Sequence, residues 1–379
     1  MSRRRRHDVA IYAPFAGHLY VPGSSKQSGG AETQMRELGR VLTSLGLSVC
    51  HVVFDYGGVP ERSDDGIDLV TQPPEEFRRH LVPYARSIVR ALSEADADVY
   101  IQRTAGFETG VVAAFACARG RALAFSASSA PDLKDRPPLP TAVSLLSFRA
   151  GRRLANALVA QTNDQVEIAE RQLGRTPSLI RSLCDLGPDE RAEREAFLWI
   201  GGLIDYKDPL AYVALAERVP EAHFWMIGTD RGGEWTALAD EVRAAAERLP
   251  NFELMPPRSR AEVLELYPRA VAVVNTSIFE GFPNTFMEGW ARGAPALSLR
   301  LDPDGMIERH GIGAVAWGSP ERFANAAREL WRGRHDRAEL EEASRRYIAE
   351  THSAEVVGRQ WLDLIEQLRR WPAGRRGLR

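Results

Sequence analysis

Cysteine is scarce in this chain of 379 residues: Cys50, Cys117 and Cys184 lie far apart, with neither a pair nor a metal-ligand spacing among them. That argues against a disulfide framework or a zinc knuckle and predicts small buried thiols in a reducing compartment. Net charge is almost absent too, at −2, which leaves no electrostatic footprint for nucleic acid. No apolar run approaches the roughly 18 residues that a membrane-spanning helix needs. The stretch Val9–Phe15 behind Arg3–Arg6 is already broken by Pro14. It is too short for a secretory signal and reads as a buried first strand, so a cytoplasmic location is expected. What the chain does have is the composition of a globular protein, 44% hydrophobic and 26% charged, and a length that suits two compact units of roughly 150–200 residues. Arginines gather at its two ends, Arg3–Arg6 and Arg369–Arg379. These read first as solvated tails and second as a loose attraction to anionic lipid at the inner membrane face.

A short β-branched run followed by a longer helical pattern recurs along the chain, twice over. In the first half, strands are predicted at Val9–Pro14, Val49–Phe54, Asp98–Arg103, Leu123–Ser126, Ala157–Ala160 and Leu179–Arg181. Helix Ala31–Leu45 carries Met35, Leu38, Val41, Leu42 and Leu45 on one face. The polar stretch Asp185–Arg194 ends this rhythm. A second alternation has strands at Ala196–Ile200, His223–Ile227, Phe252–Met255, Ala270–Asn275 and Ala296–Leu299. The fold class is therefore α/β, with two Rossmann-like doubly wound lobes, residues 1–185 and 195–352, facing a central cleft. Residues 353–379 form a last helix and basic tail, with Val356, Val357, Trp361, Leu364, Ile365 and Leu368 on one face. This helix packs back onto a lobe or, in a second reading, lies on a membrane.

Three segments could carry chemistry. Phe279–Ala291 (FEGFPNTFMEGWA) follows a predicted strand and holds Glu280 and Glu288 eight residues apart, with Gly281 and Pro283 between them. Asn284–Thr285 reads as a helix cap, and backbone N–H groups at a helix start suit a diphosphate. The carboxylates suit sugar and ribose hydroxyls. Ser28–Gly29–Gly30–Ala31–Glu32 closes the loop after the first strand, and glycines there let backbone approach a phosphate. Trp199–Asp208 runs a strand into Gly201–Gly202 and brings Lys207 to the start of the next helix, where it could neutralise a leaving diphosphate.

Together these residues resemble glycosyltransferase family 4, retaining enzymes of the GT-B fold, over nearly the whole chain, including Val159–Gln165 (VAQTNDQ). The resemblance implies a metal-independent hexosyltransferase without cofactor that uses a nucleotide diphosphate-sugar. Its first glutamate, here Glu280, contacts donor-sugar hydroxyls, and its second, here Glu288, holds the ribose. Backbone from Gly281 and Phe282 to Asn284 and Thr285 meets the sugar and diphosphate. Lys207 binds the diphosphate, and Gly29–Gly30 closes on the donor. The family's arginine before the lysine is replaced here by Gly202, so Arg258 or Arg231 is the expected substitute. Its loop histidine is replaced by the serines Ser126, Ser128 and Ser129. These two departures keep a non-catalytic partner protein of the same fold as the alternative, and an epimerase or a glycogen-synthase-like polymerase is a further one. The acceptor (saccharide, lipid-linked or small molecule) is not identified by any motif.

Several residues read as bystanders. Asp302-Pro303-Asp304 mimics a metal-binding D-x-D but sits in a turn. His18 reads as a solvated loop residue, and Trp225, Trp290 and Trp317 read as core rather than as platforms for sugars.

Overall fold

The computed structural model describes residues 7–24, 29–188 and 192–370. The chain divides into two units, the first made of residues 1–183 and 354–379 and the second of residues 184–353. Ser28, Arg3–Arg6 and the tail beyond Arg370 lie outside the described residues.

In the first unit the strands are β1 (His7–Tyr12), β2 (Val49–Phe54), β3 (Asp68–Gln72), β4 (Ala97–Arg103), β5 (Ala122–Ser126), β6 (Ala157–Ala160) and β7 (Ser178–Leu179). The helices between them are α1 (Gly30–Ser44), α2 (Leu81–Ala95), α3 (Glu108–Ala118), α4 (Ala142–Leu154) and α5 (Asn163–Leu173). All pairings are parallel, in the order β3-β2-β1-β4-β5-β6-β7. Strand residues alternate between two cores, as a pleat with helices on both faces requires. Val9, Ile11, Val99 and Ile101 pack on one side with α1, and Ala10, Tyr12 and Tyr100 pack on the other with α2 to α4. β3 was not expected from its sequence. It is an edge strand with a half-polar pattern, and pairing to β2 rather than local propensity makes it extended. Leu45 lies just beyond α1 and is exposed rather than on its packed face.

The second unit repeats the scheme with β8 (Ala196–Gly202), β9 (Phe224–Thr229), β10 (Phe252–Met255), β11 (Ala270–Asn275), β12 (Ala296–Ser298) and β13 (Gly313–Val315). Its helices are α6 (Pro209–Arg218), α7 (Thr236–Arg248), α8 (Arg260–Leu266), α9 (Asn284–Trp290), α10 (Met306–His310), α11 (Pro320–Arg332) and α12 (Ala338–Thr351). The strand order is β10-β9-β8-β11-β12-β13, again parallel. Helix starts are set locally. Asp208 caps α6 ahead of Pro209, and Ser259 with Glu262 forms a reciprocal capping box on α8.

The last helix, α13 (Ala354–Arg369), belongs to the first unit. Val357, Trp361, Leu364, Ile365 and Leu368 are buried in the core shared with α1, and Gly358 lets Val41 of α1 approach closely. Each such side chain contributes about 1.5–3 kcal/mol relative to exposure. Moving the helix onto a bilayer would strip this cover from Val41, Leu42 and the strand residues beneath it, so the membrane reading of this helix is corrected: its apolar face is already covered. No helix among the described residues is long and apolar enough to cross a membrane.

Candidate functional site

In the second sheet the chain leaves β8 towards β9 on one side and returns to β11 on the other. The gap between the carboxyl ends of β8 and β11 is therefore a topological switch point, the place where open α/β sheets take ligands. Lys207 follows β8 and Glu280 follows β11, and the structure pairs them. The Lys207 ammonium donates to Glu280 Oε1, the same oxygen that accepts the Ser277 hydroxyl at 2.9 Å. The two side chains retain 23% and 17% exposure, enough for a ligand to reach them but little enough to strengthen their attraction.

The loops under this pair are braced from below. Trp199 Nε1 donates to Thr276 Oγ1 at 2.9 Å, and that hydroxyl donates in turn to the Lys207 carbonyl at 2.7 Å. Arg300 donates to the Thr276 carbonyl and, at 2.7 Å, to Asp208 Oδ2. Asp208 holds a left-handed conformation, φ 47°, while capping α6. Above them Tyr206 and Phe279 stack with ring centroids 4.8 Å apart, and both rings are exposed. The Ile278 N–H donates to the Tyr206 carbonyl at 2.8 Å, tying the two loops together.

Glu288 lies within α9 and is held at both oxygens. The Tyr267 hydroxyl donates to Oε2 at 2.7 Å, and the Arg260 guanidinium meets Oε1 at 2.9 Å. Burial and the neighbouring Glu288 carboxylate push the Tyr267 phenol well above its usual range, so it stays a donor. The cap expected of Asn284 and Thr285 is corrected. Pro283 occupies the cap position with φ −62° and ψ 117°, no side chain caps the helix, and Asn284 and Thr285 are its first two residues. Among the described residues the backbone N–H groups of Gly281, Phe282 and Thr285 donate to nothing. The Phe282 side chain is a core group, packed against Trp290 and His352, so only its backbone is available.

Gly202 ends β8. A Cβ there would lie 3.3 Å from Arg231 Nε, so the glycine leaves room for the exposed Arg231 side chain arriving from the loop after β9. Arg258 is instead engaged with Glu262 at 3.4 Å. Gly29 and Gly30 belong to the first unit, Gly29 capping α1 and Gly30 opening it. The Glu32 carboxylate folds over Gly29 into the space a Cβ would take.

Sequence reasoning missed Ser277, Thr276, Tyr267, Arg260 and Arg300. Ser277, three residues before Glu280 in the same loop, was the one with a readable signal. Other expectations change as well. His18 is buried, with Nδ1 2.7 Å from the Phe15 carbonyl, rather than solvated. Trp225 and Trp290 are core, but Trp317 is 55% exposed and donates to Glu308 at 3.0 Å. Asp302 accepts the backbone N–H groups of Ile307 and Glu308, which occupies both its oxygens in starting α10. Among the described residues no cluster of three or more His, Cys, Asp or Glu could hold a metal ion.

Known proteins share parts of this sequence and its fold. Residues 195–333 match the family model described as "Glycosyl transferases group 1". A curated relative from Xenopus tropicalis, "Glycosyltransferase 1 domain-containing protein 1", is 22% identical over 176 residues, 45% of this chain. That match spans about half the length of the relative. Among solved structures, sucrose-phosphate synthase from Thermosynechococcus elongatus superposes with a TM-score of 0.77 at 14% identity, covering 96% of this chain and 99% of that one. HepE from Anabaena, solved in complex with UDP-glucose, gives 0.73 at 14% identity, covering 95% and 100%. The chain thus has the GT-B fold, two Rossmann-like units with the last helix packed back onto the first.

Proposed function

We propose that the protein is a retaining glycosyltransferase whose second unit binds a nucleotide diphosphate-sugar. The observation that carries this reading is the Lys207–Glu280 pair at the switch point of the second sheet, beside the open N–H groups of Gly281, Phe282 and Thr285. The family match over residues 195–333 covers the whole of this cluster.

The chemistry follows from the residue types. The N–H groups and the Lys207 ammonium suit diphosphate oxygens, and Arg231 beside Gly202 supplies the guanidinium that the glycine lacks. Glu280 accepts hydroxyl hydrogens of the donor sugar, and Glu288, set by Tyr267 and Arg260, accepts those of the ribose. In the transfer the bond from the anomeric carbon to the diphosphate oxygen breaks, and its electron pair leaves with the diphosphate. Lys207 and Arg231 stabilise that growing charge. The acceptor oxygen bonds to the anomeric carbon on the same face, and its proton passes to the departing phosphate oxygen. The protein's own contribution is position and charge, and no step is routed through a metal ion.

HepE is solved with UDP and with UDP-glucose, which makes uridine diphosphate sugars the first donors to try. A panel of nucleotide-sugars assayed for donor hydrolysis needs no knowledge of the acceptor. Slow release of one nucleotide diphosphate supports the reading. Calorimetry showing no binding of any nucleotide diphosphate would overturn it in favour of a partner protein.

Membrane contact we assign to a surface other than the last helix. On the first unit Val82 and Val89 of α2 and Val143, Leu146 and Leu154 of α4 are exposed, Val82 and Leu146 by 63% and 65%. Arg86, Arg90 and Arg153 on the same two helices carry no ion pair among the described residues. Aliphatic side chains flanked by free arginines fit an anionic lipid surface.

A further inference from the structure

The first sheet has a switch point of its own. The chain goes from β1 to β2 and β3 on one side and comes back to β4 on the other. Arg103 is the last residue of β4, one beyond the Tyr12–Gln102 register pair, so it stands at the carboxyl end where the two strands part. It alternates with Val99 and Ile101, whose side chains face the core under α1, and therefore shares their face. Its register partner is Ser126, the last residue of β5, on the same face as Ala122 and Ala124.

The guanidinium of Arg103 is a set of donors without acceptors. Among the described residues it makes no hydrogen bond or ion pair, and its Nε is fully buried. The carboxylates that act on it from a distance are Asp132 and Glu32. Asp132 is tied to its own loop: its Oδ2 accepts the Ser128 N–H and hydroxyl, each at 2.7 Å, and the Ser129 N–H at 3.3 Å. Glu32 is turned onto Gly29. Burial lowers the Arg103 pKa to about 10, the direction a desolvated cation takes when its partners do not compensate. The Ser126 hydroxyl also makes no hydrogen bond among the described residues.

The next residue adds a second, independent sign. Thr104 has φ 75°, a left-handed conformation that a β-branched side chain adopts only under constraint. Its N–H donates to the Ser126 carbonyl at 3.2 Å, which holds the turn against β5. Strain of this kind persists where the surrounding structure imposes it, and it gathers at ligand sites. A half-buried arginine whose Nε is sealed from solvent and without a partner, an unused hydroxyl beside it and a strained turn at a switch point are together a poor way to build a core.

We propose that Arg103 and Ser126 form an oxyanion site of the first unit, taking a phosphate or carboxylate group of its ligand. The planar fork of arginine matches either group through two parallel hydrogen bonds. Assigning that anion to the acceptor rests on the transferase reading; the site itself does not.

The test uses the full chain, with calorimetry and thermal melts in inorganic phosphate, acetate, glucose 6-phosphate and glucuronate, and with UDP as the control. The wild type is expected to bind at least one of the phosphate or carboxylate probes and to melt higher with it. Arg103→Gln should weaken that binding by about tenfold or more and leave UDP affinity unchanged. It should also melt no lower than the wild type without ligand, because a half-buried charge with no internal partner has been removed. Phosphate and glucose 6-phosphate acting together, against acetate and glucuronate, would tell which oxyanion the site takes. Wild-type affinity for every probe in Arg103→Gln, or no oxyanion binding by a wild type that still binds UDP, would overturn the proposal. Should Arg103→Gln not fold, Arg103→Lys decides: it keeps the charge without the fork, and undiminished binding there also refutes the site. Loss of UDP binding alone would strike at the donor reading and leave this one standing.

Discussion

Replacing Lys207 with methionine keeps the length of the stem and removes the ammonium, so it separates two roles of one charge. Without ligand, Lys207 neutralises Glu280, which then keeps only the Ser277 hydroxyl at 2.9 Å. Because both side chains retain about a fifth of their exposure, the stability cost is on the order of 1–2 kcal/mol, below that of a fully buried pair. With ligand, the variant loses one charge-assisted hydrogen bond to the diphosphate, about 1.5–3 kcal/mol. That corresponds to roughly 10- to 150-fold weaker binding. Calorimetric titration with UDP reads the second effect, and urea unfolding reads the first. Glu280→Gln is the companion. It keeps the Ser277 contact and frees the ammonium, so UDP binds at least as tightly while turnover falls by a factor on the order of 10² through lost positioning of the sugar. Wild-type UDP affinity in Lys207→Met would refute the reasoning, as would undiminished turnover in Glu280→Gln.

Further outcomes are expected. Arg231→Ala should lower UDP affinity about tenfold, whereas Arg258→Ala, whose partner is Glu262, should stay within about twofold; calorimetry on both variants checks which arginine serves Gly202. Burial lowers the His51 pKa from 6.5 to about 3, so the ring is neutral when folded, with its Nδ1 2.7 Å from the Tyr20 hydroxyl. The unfolded chain then binds the extra proton, and stability falls as pH drops from about 6.5 towards 3, by at most about 1.4 kcal/mol per pH unit from this group. Urea midpoints between pH 4 and 7 should show that slope, flattened in His51→Gln. Val82→Asp with Leu146→Asp should abolish co-sedimentation with vesicles containing anionic lipid and leave donor hydrolysis unchanged; vesicle binding that survives the pair would remove the α2–α4 surface from consideration.

The periodic parts of the fold were legible because burial on both faces of a parallel sheet writes itself as β-branched runs, as in Val49–Phe54 and Ala270–Asn275. Two of the four sheet edges were not. β3 and β13 are short and half-exposed, and neighbours extend them rather than their own propensity. Of the candidate site, Lys207, Glu280 and Glu288 stood out as charged residues at strand ends and a helix start. Ser277, Tyr267 and Arg260 did not, since a serine, a core tyrosine and a surface arginine acquire their roles only through what folds beside them. The helix cap was misread for a local reason. Pro283 has the fixed φ of a proline and an extended ψ, so it takes the cap position itself, and the first turn begins at Asn284, one residue earlier than a cap at Asn284 would give. Trp317 was misread because a large apolar ring usually marks a core, and here its indole N–H is used at the surface.

The two switch points treat their cations in opposite ways, and the contrast has a consequence. In the second unit Lys207 is met by an internal carboxylate, so an incoming diphosphate must compete with Glu280 for the ammonium. In the first, Arg103 has no acid within hydrogen-bonding reach, so the proposed oxyanion has no internal carboxylate to displace. The choice of side chain fits each task. Lysine is rare here, three residues against 46 arginines, and a flexible ammonium can swing from Glu280 to a phosphate as charge develops on it. An arginine fork is rigid and planar and serves better where a group has only to be held. On the proposed transferase reading the second site trades ground-state affinity for charge delivered during bond breaking, which is what a chemical step rewards. On the same reading the proposed first site only holds its anion, so substitutions at Arg103 should appear in the KM of whatever carries the anion, and those at Lys207 in kcat as well.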